Sequence, residues 1–181
     1  APARAWEGDG LAAADGLWSR VRSRVVEDAP PPRATGHTAW RALARIDALP
    51  AALRSPDVQV WLGERLHAVA YPVRGGDWLN LVVLAEVQPG SAEARKQDLA
   101  DWDQQADLAA LLAAIGRRCE GVLPLIEAMP RWRAWQLNDR PPVSGPQDMV
   151  RERVVLLGDA AHPMLPYLAQ GAGMAIEDAV A

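Results

Sequence analysis

The chain has 181 residues, half of them hydrophobic and 23% charged, enough for one sizeable core or two small ones and without disordered or collagen-like bias. Its net charge of -4 and pI near 5.4 weigh against a nucleic-acid partner, because phosphate binding wants a basic face. The longest apolar run, around Leu108 to Ile115, is too short to span a bilayer. A single cysteine, Cys119, excludes an internal disulfide and suits a reducing, cytoplasmic setting.

The chain opens on Ala1 with neither an initiator methionine nor a signal-peptide pattern, which is simplest for an internal piece of a longer protein. Leu11 to Ala14 reads as a short buried strand, Asp15-Gly16 as a turn, and Ser19 as a helix cap ahead of Val21, Val25 and Val26. Pro30-Pro31-Pro32 is a stiff connector and marks a boundary. Beyond it the hydrophobic period becomes two. Gly36 to Arg45, Val58 to Leu62, Leu66 to Val73 and Trp78 to Ala85 read as strands, with Gly75-Gly76 as a hairpin turn, so a mostly antiparallel sheet is expected.

Within the third of these runs His67 and Tyr71 are four apart, hence on one side of a strand. They are candidates to face an aromatic substrate, with a packed or solvent-facing pair as the equal alternative. From Ser91 to Met129 the period reads as helical, with Leu108, Leu111, Leu112 and Ile115 on one apolar face and Val122 to Met129 on a second, shorter helix. Asp98, Asp101, Asp103 and Asp107 have no histidine among them and read as a solvated helix face, so no metal site is expected. Trp132 to Leu137 reads as a strand and Asn138 to Pro142 as a turn.

The last stretch carries the densest signal. Val154 to Leu157 suits a strand buried on both faces, and Gly158-Asp159 ends it, leaving an acid at the carboxyl end of a core strand. In open α/β sheets that edge binds ligands, and an aspartate there accepts hydrogen bonds from sugar-like hydroxyls. Gly171 and Gly173 permit a tight backbone just ahead of a helical run, Met174 to Asp178, whose free N–H groups favour negative charge on the ligand.

The string Gly158-Asp159-Ala160-Ala161-His162-Pro163, followed by Pro166, Gln170-Gly171, Gly173 and Glu177-Asp178, resembles the second flavin motif of single-component FAD-dependent aromatic hydroxylases of the salicylate hydroxylase type. Ala14-Asp15-Gly16, Ser19 and Val21-Arg22 match a second string of the same family, and the pieces around Trp40-Arg41 and Tyr71 to Gly76 resemble its substrate-domain sheet. The resemblance implies FAD as cofactor, NADH or NADPH as co-substrate, and transfer of one atom of dioxygen to a small phenolic or other aromatic substrate. Asp15, Gly16, Arg22, Gly158, Asp159, Gln170, Gly171, Ala172, Gly173 and Met174 would then bind the cofactor. Pro163 and Pro166 would shape the loop beside the reacting atoms, with His67 and Tyr71 on the substrate side. His162 supports the turn at least as readily as it acts in catalysis, and Glu177 and Asp178 read as caps at the helix start. Many relatives carry a histidine immediately before the Tyr-Pro pair, where this chain has Ala70.

The fold expected is α/β, α+β overall: part of a FAD-binding Rossmann-like domain (residues 1–30 and 143–181) interrupted by a mostly antiparallel substrate domain with helices (31–142). No Gly-x-Gly-x-x-Gly phosphate loop is present, and the resemblance implies one upstream of Ala1, so this piece alone would bind FAD weakly or not at all. No membrane span or nucleic-acid partner is expected, and a homodimer is entertained. Two alternatives stay open: a non-hydroxylating flavin oxidoreductase or halogenase, and a catalytically silent binding module.

Overall fold

The computed structural model describes residues 5–87 and 104–180 and divides the chain into two compact units, one from Ala1–Arg33 with Asn138–Ala181 and one from Ala34–Leu137. Taken in order, the elements are β1 (Leu11–Ala13), α1 (Arg22–Val25), β2 (Arg33–Arg45), β3 (Gln59–Gly63), β4 (Leu66–Val73), β5 (Trp78–Glu86), β6 (Gln104–Ala106), α2 (Leu108–Ile115), α3 (Leu123–Ala128), β7 (Trp132–Asp139), β8 (Val150–Arg151), β9 (Val154–Leu156) and α4 (Gly171–Asp178). The mixture is α/β in content, with antiparallel pairing dominant.

The contiguous unit is built on a six-stranded sheet of order β3-β4-β5-β2-β7-β6. Alternation along each strand sorts its two faces. Leu66, Ala68 and Ala70 of β4, Leu79, Leu81 and Val83 of β5, and Trp40, Ala42 and Ala44 of β2 are buried together with Leu111, Ile115, Val122, Leu125 and Ile126 from the helical stretch. Small alanines stand on strands where α2 and α3 supply the bulk, so the layers interdigitate. Each large side chain withdrawn from water there contributes about 1.5–3 kcal/mol. Asp107 starts α2 as its N-cap, its Oδ1 accepting the Ala109 N–H at 3.1 Å.

Several expectations change here. The helical reading of Ser91 to Met129 fails at Gln104–Ala106, which pairs antiparallel with β7 because Trp132 to Ala134 offers it a strand edge. Asp98, Asp101 and Asp103 lie outside the described residues, and the fourth member of that acid cluster, Asp107, is a helix cap rather than a face. Asn138 and Asp139, read as turn, end β7, where Asp139 accepts two hydrogen bonds from Arg33 at 2.7 and 3.3 Å.

The other unit carries a three-stranded sheet of order β1-β9-β8. β1 and β9 run parallel, with Leu11 opposite Val154, Ala12 opposite Val155 and Ala13 opposite Leu156. Its core gathers Ala13, Val25, Leu156 and Ala161. β9 is not enclosed on both faces as expected, and β1 is not the buried strand expected. Leu11 is 49% exposed and Val154 and Val155 are half-buried, because α1 covers one face only and β1 forms the sheet edge among the described residues.

Candidate functional site

The parallel pairing of β1 and β9 decides the geometry of the first candidate site. Continuing the register, the Leu157 N–H donates to the Ala13 carbonyl at 2.9 Å, so both chains leave the sheet over the same edge. Asp15 stands in the turn after β1 and Asp159 in the turn after β9. The two acids, far apart in sequence, therefore share the carboxyl edge of one parallel pair.

Each turn is held by identifiable contacts. Asp15 Oδ2 accepts the N–H groups of Arg20 and Val21 at 2.9 and 3.4 Å, while Ser19 Oγ accepts the Arg22 N–H at 3.0 Å. Burial alone would raise the Asp15 carboxyl, but the hydrogen bonds from Ser19 and the loop N–H groups outweigh it and hold it below its ordinary value. Gly16, at φ +77°, makes the turn possible.

The second turn leans on two side chains, Arg22 and Asp178, that no local pattern joins to it. Arg22 is buried, and its Nη1 donates to the carbonyls of Ala160 and Ala161 at 2.8 and 2.6 Å, so this guanidinium holds the Gly158–Ala160 turn. Burial lowers its pKa, partly offset by Asp148. Asp178 Oδ2 accepts the Gly158 N–H at 2.7 Å and lies 2.7 Å from His162 Nε2. Gly158 has φ +55°, and a Cβ there would sit 3.1 Å from the Ala175 Cβ, so α4 approaches the turn at a distance only glycine allows.

Helix α4 itself corrects the expectation for its ends. It begins at Gly171, so the two glycines form its first turn, and Glu177 and Asp178 fall in its last turn rather than its start. Asp178 is consequently no dipole cap. It is the partner of His162, and it closes the helix back onto the Gly-Asp turn. At the other end Gln170 makes no side-chain capping bond, the first turn holds no acid, and nothing lies within 4 Å of where a Cβ on Gly171 or Gly173 would stand. The first-turn N–H groups, including those of Ala172 and Gly173, are available to an anion, and the helix bonds begin with Met174 N–H to Gln170 carbonyl at 3.0 Å. Ala169, just ahead, is held left-handed at φ +52°, a strained conformation for a residue with a Cβ. Pro163 is half-buried and Pro166 exposed in the loop between the turn and this helix.

The second candidate site lies on the six-stranded sheet. His67 and Tyr71 do share a face of β4, the one turned away from the helix-packed core, with Val69 between them. Pairing sets three rows across β4, β5 and β2: His67, Leu84 and Ala39; Val69, Val82 and Arg41; Tyr71, Asn80 and Leu43. Asn80 is 1% exposed, and its Oδ1 accepts Arg41 Nε at 2.8 Å. Strand alternation places Arg41 and Asn80 on the same face as His67 and Tyr71, although the sequence reading singled out only the latter two.

The "FAD binding domain" family model matches residues 7–181. The chain belongs to that family. Among relatives of this FAD binding domain, 3-hydroxybenzoate 6-hydroxylase 1 of Aquipseudomonas alcaligenes is 41% identical over 170 residues, covering 94% of this chain and 40% of that protein. A solved salicylate hydroxylase substrate complex superposes with a TM-score of 0.76 at 31% identity, over 94% of this chain and 44% of that one. Klebsiella pneumoniae HpxO, solved with FAD and uric acid, gives 0.73 at 30% identity, over 96% and 41%. The chain thus spans about 40% of the length of the curated relative. The donor set suits FAD: an exposed carboxylate at Asp159 for a sugar hydroxyl, and open first-turn N–H groups on α4 for negative charge. No helix among the described residues is long and apolar enough to cross a membrane, and no cluster of three or more His, Cys, Asp or Glu among them could hold a metal ion.

Proposed function

We propose that the intact protein is a FAD-dependent, NAD(P)H-consuming monooxygenase that hydroxylates a phenolic or other aromatic substrate with dioxygen; a 3-hydroxybenzoate 6-hydroxylase and a salicylate hydroxylase among the proteins it resembles support this reading. The observation that carries this reading is the shared carboxyl edge of β1 and β9 with acids in both turns beside an uncapped helix start. In this reading the unit from both chain ends holds the cofactor and the sheet unit holds the substrate, in the cytoplasm.

Bound FAD would supply the electron transfer from the nicotinamide to dioxygen. The chain's own residues bind, orient and exclude water. Asp159 accepts a ribityl hydroxyl; the N–H groups of Gly171 to Gly173 stabilise negative charge on the flavin edge that faces them; Pro163 and Pro166 shape the loop that keeps water from the reacting atoms. Asp15, Gly16 and Arg22 serve chiefly by fixing the two turns, since the carboxylate and guanidinium are already engaged there. His67 and Tyr71 contact the substrate hydroxyl.

The test is a flavin absorbance spectrum of the intact protein, followed by NADH consumption with and without 3-hydroxybenzoate. Bound flavin and stimulated consumption with a hydroxylated product are expected, and Asp159→Ala should lower flavin occupancy about tenfold or more through loss of a hydrogen bond to a charged acceptor. Flavin without stimulation points to a non-hydroxylating oxidoreductase. Absence of flavin overturns the proposal.

A further inference from the structure

We infer that Met164 is a site of oxidation by hydrogen peroxide and that its sulfoxide uncouples the reaction proposed above, a reading on which the supply of the oxidant rests. Four methionines stand in the chain. Met129 is 5% exposed in the core of the sheet unit, Met149 is half-buried against the small core of the other unit, and Met174 is half-buried in α4, whereas Met164 is 40% exposed.

The loop holds that exposure in place. His162 and Leu165 each precede a proline, which favours extended backbone, and Leu165 has φ -67° and ψ 143°. Pro163 and Pro166 restrict their own φ. Upstream the His162 N–H donates to the Gly158 carbonyl at 2.9 Å and its Nε2 lies 2.7 Å from Asp178 Oδ2; downstream the Ala169 N–H donates to the Pro166 carbonyl at 3.2 Å. In an extended run neighbouring side chains face opposite ways, and burial alternates accordingly: Pro163 and Leu165 are half-buried, Met164 and Pro166 exposed. Met164 therefore stands on the same side of the loop as Pro166, which the proposed function puts beside the reacting atoms.

Electrons that reach dioxygen without a hydroxylated product leave as hydrogen peroxide: NAD(P)H, one proton and dioxygen give NAD(P)+ and hydrogen peroxide. The Met164 Sδ lone pair then attacks one peroxide oxygen. The S–O bond forms, the O–O bond breaks, and the departing oxygen takes up the proton and leaves as water; sulfur is oxidised by two electrons and the peroxide reduced by two. A thioether needs no ionisation for this, whereas Cys119, half-buried in the sheet unit, must first lose a proton. The sulfoxide is polar and accepts hydrogen bonds that the thioether did not. Beside Pro166 it draws water into the space the loop is proposed to keep dry, so a larger share of the electrons ends on peroxide.

The experiment treats the intact protein with graded hydrogen peroxide and maps the four methionines by proteolysis and mass spectrometry. Met164 should gain one oxygen about tenfold faster than Met129, Met149 or Met174. Sustained NADH turnover without added peroxide should mark the same residue, and catalase should prevent it. Treated wild type should give about twofold less hydroxylated product per NADH from 3-hydroxybenzoate, and methionine sulfoxide reductases should restore it. Met164→Leu, close in volume, should keep its own untreated ratio at the same dose. Oxidation of Met149 or Met174 as early as Met164 overturns the site, and a ratio that falls as far in Met164→Leu as in wild type overturns the link to coupling. Should Met164→Leu fail to fold, Met164→Gln, a standing polar substitute for the sulfoxide, decides: it should start at the ratio of treated wild type, and an unaltered ratio overturns the link. The methionine map needs no turnover, so a protein without flavin that oxidises first at Met164 upholds the site and overturns the monooxygenase.

Discussion

Asp15 and Gly158 carry the two turns in different currencies, one electrostatic and one steric. The Asp15 carboxylate is stabilised by its loop N–H groups, so its folded pKa lies below the ordinary 3.8. The sign follows from linkage: the contribution is present above the unfolded value and is lost as pH falls through the depressed folded one. Asp15→Asn should therefore flatten the acid limb of a pH-stability profile below about pH 4, with little change near neutrality beyond a constant offset. Because the group is exposed, the effect should be small. Gly158→Ala acts through geometry instead. A Cβ at φ +55° costs about 1–2 kcal/mol, and its 3.1 Å approach to Ala175 must be relieved by moving α4. Chemical denaturation should show that loss, and flavin occupancy of the intact protein should fall with it, because the helix that offers the first-turn donors is the one displaced.

At the scale of elements, α4 is tethered to the turn at its far end. Asp178→Ala removes the acceptor for the Gly158 N–H and the partner of His162 together, and leaving that part-buried N–H unsatisfied should cost about 1–3 kcal/mol. Asp178→Asn keeps one oxygen for both donors and should recover most of the loss in thermal unfolding; an Asn variant no more stable than the Ala variant would show that these hydrogen bonds do not hold the turn. Such links explain why parts of the site were legible in the sequence and others were not. Alternation along β4 was enough to place His67 and Tyr71 on one face, because the period of a strand is local. The bonds Asp178 makes reach 16 and 20 residues back and the Arg22 clamp reaches 138 and 139 forward, so no local pattern announces them. The strand at Gln104–Ala106 was missed for the same reason: three residues without a hydrophobic rhythm become a strand only because β7 offers them an edge.

For the molecule as a whole, one unit is contiguous and the other is assembled from both flanks of it. The glycine and aspartate strings were legible because their spacing is local, and the pairing of β1 with β9 that joins them, made across more than a hundred residues, was not. Tryptophans 40 and 132 are buried in the sheet unit, while Trp6 and Trp18 of the other unit are exposed. Intrinsic fluorescence should therefore follow melting of the sheet unit, and flavin release should follow the other. We expect the two probes to give different midpoints in the intact protein; coincident curves would mean a single cooperative transition. The order of the six strands has one more effect. β3 ends the sheet with its outer rim unpaired among the described residues, and Val58, Val60 and Leu62 stand 65, 54 and 76% exposed along it with no lysine to guard them. A greasy, ungated margin of this kind zips readily onto another copy, so concentrated solutions of this polypeptide should clump through that rim before either core begins to melt.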